Sequence, residues 1–536
     1  MELIQSWLLT TLIFLPTAGA GLVLLTRRRE AVRWVALATT LATFLLSLLV
    51  LALYDWSAPR AYGYGGVGEP GVMQMVQQAT WIGAFNIQYK VGVDGLALPL
   101  VLLSTVICVL ACIASWNVDK LPRAYMALFL FLETGILGTF LALDFFLFYV
   151  FFEITLLPMY FLIGIWGGPR RQHAAIKFFL YTLVGSIGLL VTLIGTYLHT
   201  RGLNVPGLDL SNGTFDMVLL ARQDVREAMG AAGLSVGLAK TFFLLSMFAF
   251  FVKLPAAPFH TWLPDAHVEA PTPMSMILAA LLLKMGGYGI LRVAYPLFPD
   301  AAKALWLLVA TVGVVSILYG ALCAMGQRDF KRLVAYSSVS HMGFVILGIA
   351  VMTPAAMNGA LFMMVAHGIT SAMMFFVVGV VYDRAHHREL GRMGGLASTM
   401  PLYTGFGAVA CFANLGLPGL AGFVGEFLVI VGTFAAASDG ATLIAGGHAT
   451  RAQMIVLAVA ASLGIVLSAA YMLWAVQRVF FGPERPEFKG FAEVDRREVS
   501  VLTPLAILCV LLGVLPTVFV FAYTQTTVDA IVKLLG

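Results

Sequence analysis

A few ionisable side chains stand inside long apolar runs of this sequence, where a charge needs a reason. Glu153 lies in Phe151-Phe152-Glu153-Ile154-Thr155-Leu156-Leu157-Pro158, Lys253 in Lys253-Leu254-Pro255-Ala256-Ala257-Pro258, and Lys284 in Leu281-Leu282-Leu283-Lys284-Met285-Gly286. His341 follows Ser337-Ser338-Val339-Ser340, and Glu426 comes after the broken stretch Gly416-Leu417-Pro418-Gly419. His367 has Thr370 and Ser371 three and four residues on, which places all three on one helical face. A charge at mid-bilayer costs roughly 2.5–3.5 kcal/mol on insertion scales, so such groups turn inward and mark ion pathways. Carboxylates, amines and imidazoles spread over several helices are the groups that take up protons and hand them on.

A carboxylate that moves relative to a lysine makes a switch. At an effective dielectric near 20 it favours the charged lysine by roughly 3.3 kcal/mol at about 5 Å and by roughly 1.4 kcal/mol at about 12 Å. The difference of about 1.9 kcal/mol compares with about 2.3 kcal/mol for moving one proton against 100 mV. Glu153 and Lys253 thus suit proton movement in size, but only with an external energy source. Two bland readings compete: a static Glu153–Lys253 ion pair that fixes packing, and histidines that are hydrogen-bonded packing residues.

Other polar residues rank lower. Glu133, Asp144 and Lys240 fall near expected span ends and are expected to reach water. Asp265, His267 and Glu269 alternate like metal ligands but read better as a turn network, and His386 and His387 as solvated loop residues. Cys108, Cys112, Cys323, Cys411 and Cys509 all lie in apolar segments without cluster spacing, which favours packing over iron–sulfur or zinc binding. No GxGxxG strand–helix unit and no GxxxxGK[ST] motif marks a nucleotide site. No metal, no cofactor and no nucleic acid is expected in this chain, and lipid-facing and packing roles account for the aromatic residues without a quinone site.

The elements that position these groups follow from composition. Of 536 residues, 60% are hydrophobic and 11% charged, against roughly 25% charged in soluble proteins, which excludes a soluble globular fold. Apolar runs of about 20 residues, the length that crosses a bilayer, predict spans near 3–25, 34–54, 96–117, 123–143, 145–167, 174–199, 235–260, 273–295, 302–324, 333–352, 356–382, 400–437, 452–481 and 500–522. The expected fold is all-α, a polytopic membrane protein of about 14 transmembrane helices. The first run reads as a retained span because Arg27, Arg28, Arg29 and Arg33 follow it and no Lys or Arg precedes it. Alternating the loops places most Lys and Arg inside, with both termini outside. Residues 261–272 are the exception, being an inside loop with no Lys or Arg. The connections 55–95 and 200–234 are long, and the charged segment 482–499, with Phe488 and Phe491, reads as a solvated loop rather than a docking surface.

Spans seven and twelve are interrupted by Pro255 and Pro258, and by Gly416, Pro418, Gly419 and Gly422. Proline removes a backbone donor and clashes with the preceding turn. Interrupted spans at corresponding positions point to transport sites in repeat-built carriers, and an offset of five spans makes such repeats inverted. The expected organisation is 1–120 for helices 1–3, 121–297 for a first five-helix repeat (helices 4–8), 298–482 for a second, inverted repeat (helices 9–13), and 483–536 for the charged loop and helix 14. Proline kinking without symmetry is the alternative.

Phe259-His260-Thr261-Trp262-Leu263-Pro264-Asp265-Ala266-His267, with Lys253-Leu254-Pro255 before it and Glu269-Ala270-Pro271-Thr272 after it, resembles the signature of the antiporter-like membrane subunits of respiratory complex I, NADH-quinone oxidoreductase. Lys284-Met285-Gly286-Gly287-Tyr288-Gly289, Ala335-Tyr336-Ser337-Ser338-Val339-Ser340-His341-Met342-Gly343 and Gly416-Leu417-Pro418 leading to Gly425-Glu426-Phe427 extend the resemblance over nearly the whole chain. It implies fourteen helices and a proton path in which Glu153 and Lys253 are the coupled pair and Lys284 the central relay. His341 and His367 would continue the path, and Glu426 would exchange protons with the outside or the next subunit. Glu426 stands where the family's L-type and N-type subunits carry a lysine; these two would be neighbours in the membrane arm. Quinone reduction elsewhere would drive the pumping, with flavin and iron–sulfur clusters in partner subunits. The resemblance further implies a bacterial cytoplasmic (inner) membrane location, in which the Lys and Arg bias puts both termini on the periplasmic side. A multisubunit sodium/proton antiporter is the related alternative, and a structural spacer the other.

Overall fold

A computed structural model describes residues 2–56, 62–63, 65–66, 69–438 and 450–536. Among these residues, the long apolar helices are Ser6–Leu25, Arg29–Leu53, Ala97–Asn117, Pro122–Leu141, Phe145–Trp166, Arg171–Thr200, Val236–Lys253, Thr272–Leu297, Trp306–Met325, Phe330–Ala350, Pro354–Ala385, Arg451–Val479, Arg496–Val514 and Thr517–Leu535. The expected twelfth span is present as two half-helices, Pro401–Asn414 and Ala421–Ser438. Span seven is likewise extended by a short helix, Trp262–Glu269, beyond its break.

Thr517–Leu535 has the length of a span but lies across one end of the bundle. The Tyr523 ring meets Trp56 at 5.4 Å between centroids, and the Gly95 amide donates to Thr527 Oγ1 at 3.0 Å. Thr524 Oγ1 donates to Asn358 Oδ1 at 3.1 Å, and Lys303 Nζ to the carbonyl of Gly536 at 3.5 Å. These partners follow span two, precede span three, begin span eleven and precede span nine, so they share one end. The fourteenth crossing is therefore Arg496–Val514, earlier than the expected 500–522, and the following helix is a surface element.

The same end carries a feature that composition did not predict. Within the 55–95 connection, Gln74–Ile82 pairs antiparallel with Ile87–Val93, with Asn86 in the left-handed region (φ 53°) at the turn. The Thr10 amide and hydroxyl both donate to Gln77 Oε1, at 3.0 and 2.6 Å, fastening this hairpin to the start of span one. At the opposite end the charged 482–499 segment is exposed at most positions, as a solvated loop would be, and is anchored at two points: Phe488 is buried against Phe491, and Arg384 grips Glu498 at 2.8 Å.

Spans eight, ten and eleven are enclosed by the others, whereas one, two, thirteen and fourteen keep broad apolar faces outward. Close backbone approach makes the enclosure possible. A Cβ on Gly343 would stand 2.6 Å from the Gly313 carbonyl and from the Ile317 amide, so spans nine and ten meet nearly backbone to backbone, as small residues permit in membranes.

Candidate functional site

Four of the six singled-out residues form one buried line. Lys284, with no exposed surface, sits in span eight just after a π-helical turn, Leu278–Leu282. Such widened turns release carbonyls from regular α-helical bonding and recur at functional sites. Here Lys284 Nζ donates to the Ala279 carbonyl at 2.6 Å and lies 2.7 Å from His367 Nδ1 on span eleven. The His367 ring faces His341 of span ten, 5.3 Å between centroids, and His341 Nε2 is 3.5 Å from Glu426 Oε1 in the second half of span twelve. His367 Nε2, both His341 nitrogens, both Glu426 oxygens and both Asn414 amide atoms have no hydrogen-bond partner among the described residues. Unpaired buried polar atoms are rare and call for an explanation such as unseen water.

The break in span twelve places the glutamate. Gly416 and Gly419 take φ of 80° and 90°, open to glycine and poorly to other residues. A Cβ on Gly416 would come within 2.4 Å of Glu426 Oε2, so glycine there leaves room for the carboxylate.

Glu153 and Lys253 form a second group. Pro158 cannot donate to the Ile154 carbonyl, and span five is interrupted at Thr155 between Phe145–Ile154 and Leu156–Trp166. Glu153 stands just before this point, with Ser186 and Lys253 as its polar neighbours. Lys253 ends the first half of span seven. Its Nζ contacts Thr155 Oγ1 at 3.4 Å and lies 4.6 Å from the centroid of the Phe152 ring; no ion pair with Glu153 within 4 Å is found among the described residues. The broken backbone beyond is satisfied by protein: Ala257 N donates to Ser316 Oγ at 2.9 Å and Trp262 Nε1 to the Val252 carbonyl at 2.9 Å, as irregular backbone at membrane depth requires.

Several expectations need correction. Glu133 does not reach water: it is fully buried in span four with both oxygens unpartnered among the described residues. Asp144 is also buried, capping span five through the Leu147 amide at 3.0 Å. Two basic residues that the sequence did not single out are buried as well, Arg292 in span eight and Lys331 in the first turn of span ten. Within residues 261–272, Trp262–Glu269 is a short helix that follows the break in span seven rather than an irregular loop. There Asp265 pairs with Lys177 at 2.7 Å and Arg332 at 3.3 Å, and Glu269 accepts from the Arg170 amide at 2.9 Å, which is the expected network. His267 turns inward instead, stacked on Phe375 at 4.2 Å with both ring nitrogens unpartnered among the described residues. No group of three or more His, Cys, Asp or Glu with metal-holding geometry occurs among the described residues.

Broken helices around an interior line of Lys, His and Glu define an ion-translocating class of polytopic membrane subunit. The sequence matches the family described as NADH:quinone oxidoreductase/Mrp antiporter over residues 142–451, and the amino-terminal family of NADH-ubiquinone oxidoreductase chain 4 over residues 37–144. The chain belongs to this family of NADH:quinone oxidoreductase membrane subunits. It is 40% identical to NADH-quinone oxidoreductase subunit M of Rhodobacter capsulatus over 521 residues, 95% of this chain and 93% of that one. It is 39% identical to NAD(P)H-quinone oxidoreductase chain 4 2 of Thermosynechococcus vestitus, covering 97% and 91%. Among solved structures, a chain of respiratory complex I from Thermus thermophilus with bound NADH superposes with TM-score 0.81 at 30% identity, covering 98% of this chain and all of that one. A chain of the Mrp complex of Dietzia sp. shares the fold, with TM-score 0.79 at 24% identity.

Proposed function

We propose that this chain carries protons across a bacterial cytoplasmic membrane as a membrane-arm subunit of an NADH:quinone oxidoreductase, driven by quinone reduction in partner subunits. The observation that carries the reading is the buried series Lys284, His367, His341, Glu426, whose successive members touch or nearly touch across four helices. Glu153 and Lys253 form the switch that loads it, Lys284 is the central relay, and Glu426 passes the proton to the outside or to the neighbouring subunit. Helices 4–8 and 9–13 act as two inverted repeats, supported by the breaks in spans seven and twelve. The hairpin end, which holds both termini, faces the periplasm, supported by the excess of Lys and Arg at the other end. L-type and N-type antiporter-like subunits flank the chain. In the assembled complex, Glu153→Gln and Lys253→Ala should each strongly reduce both proton pumping and coupled quinone reductase activity; wild-type pumping in both variants overturns the assignment.

A further inference from the structure

Span eight leads from Lys284 straight to the hairpin end. Lys284, Tyr288 and Arg292 recur every fourth residue and so stack along one side of the helix, the arginine about 12 Å beyond the lysine. All three are fully buried. Left open, this polar column would let a proton on Lys284 leave within two helical turns, bypassing His367, His341 and Glu426.

The hydrogen bonds along the column run in directions that stop a proton. Tyr288 OH donates to the Phe140 carbonyl at 2.7 Å and accepts from Arg292 Nε at 3.0 Å. A backbone carbonyl has no proton to hand on, and a guanidinium has donors only and does not deprotonate in proteins. Arg292 Nη2 binds Asp94 Oδ1 at 2.6 Å, and Nη1 reaches Tyr62 OH at 3.5 Å and Met73 Sδ at 3.7 Å. Asp94 Oδ1 also accepts from the amides of Leu96 and Ala97. Every donor to that oxygen is one that keeps its proton. Apolar residues of similar volume often stabilise as well as a buried ion pair, so packing alone does not account for charges here.

We propose that the Tyr288–Arg292–Asp94 cluster is a proton-insulating seal: it sets a tyrosine proton held by a carbonyl and a donor-only guanidinium between Lys284 and the hairpin end of span eight, and so confines protons on Lys284 to the lateral series. The inference rests on Lys284 being a relay.

The test is passive proton conductance of proteoliposomes holding the assembled complex, under an imposed pH gradient and without NADH. Arg292→Lys keeps the charge but installs an ammonium, which gives up its proton about a hundredfold more readily than a guanidinium. Conductance should rise at least about tenfold, and adding Lys284→Met should abolish the rise. Tyr288→His, which removes the hydroxyl held by the Phe140 carbonyl and installs a group that ordinarily gains and loses a proton near neutral pH, should leak likewise, whereas Tyr288→Phe should remain tight. Uncoupled quinone reductase activity reports that each complex is intact. Tight vesicles with both Arg292→Lys and Tyr288→His overturn the seal, as does a leak that survives Lys284→Met. Failure of the underlying relay reading is read separately, from coupled pumping in the Lys284→Met single variant.

Discussion

The contact between His341 and Glu426 gives a graded prediction. At 3.5 Å and an effective dielectric near 20, the carboxylate favours a proton on His341 by about 4.7 kcal/mol. Glu426→Gln removes that attraction while keeping size and shape, so a hop that places a proton on His341 beside the ionised carboxylate slows by up to about a thousandfold. Glu426→Asp withdraws the carboxylate by about one carbon–carbon bond, 1.5 Å, to roughly 5 Å. The attraction falls to about 3.3 kcal/mol, a loss of about 1.4 kcal/mol, or about tenfold in rate. Inverted membrane vesicles oxidising NADH, with proton uptake followed by a pH-sensitive dye and quinone reductase measured in parallel, distinguish the two variants once assembly is confirmed. Wild-type pumping by the Gln variant refutes the reasoning. So does an equal loss in both variants, because a role set only by side-chain volume would not rank Asp above Gln.

Two further outcomes follow from residues outside the relay. Burial pushes the Asp144 carboxyl up to about 7, aided by the charge of Asp216 and opposed by the Leu147 and Gln88 amides. An unfolded aspartate titrates near 3.8, so between these values the folded state holds a proton that the unfolded state has released. Stability therefore falls as pH rises from about 4 through 7, by up to about 4 kcal/mol. Asp144→Asn should remove that slope, exceeding the wild type in thermal stability in detergent at pH 8 and matching it near pH 4; parallel pH profiles would contradict this. Gly343→Ala places a methyl against the backbone of span nine and should cost about 1–3 kcal/mol, seen as a lower unfolding temperature.

The broken spans were legible because proline and glycine act locally: Pro255 and Pro258 interrupt a helix whatever surrounds them, and Gly416 and Gly419 take the positive φ that their type allows. Sequence also located the buried charges along each helix, but not the side each one faced. Glu133 was expected to reach water from a span end, yet it points into the bundle. Arg292 falls near the end of the predicted span 273–295, and its partner Asp94 lies 198 positions away. Lys284 and His367 are separated by 83 positions, and nothing in a linear pattern states that they touch. The hairpin at Gln74–Val93 escaped because Gly and Tyr around it resemble an ordinary connection. The alternation of Asp265, His267 and Glu269 reads as a loop; one helical turn puts the two acids on one side, beside Lys177, Arg332 and the Arg170 amide, and the histidine on the other, against Phe375.

The placement of Lys253 bears on whether the charges fix packing or move protons. An ion pair closer than 4 Å would hold the lysine by more than about 4 kcal/mol at a dielectric near 20. Lys253 instead rests on the Thr155 hydroxyl and the Phe152 ring, and a cation over an aromatic face is worth about 0.5–2 kcal/mol. A static pair built to fasten spans five and seven would close that gap, since Glu153 and Lys253 are already electrostatic neighbours. Leaving it open keeps the lysine in weak contacts, where a small movement at the Thr155 interruption changes the field it feels. The break in span five and the break in span seven meet at this lysine, so a static fastening is absent at the point where both helices are interrupted.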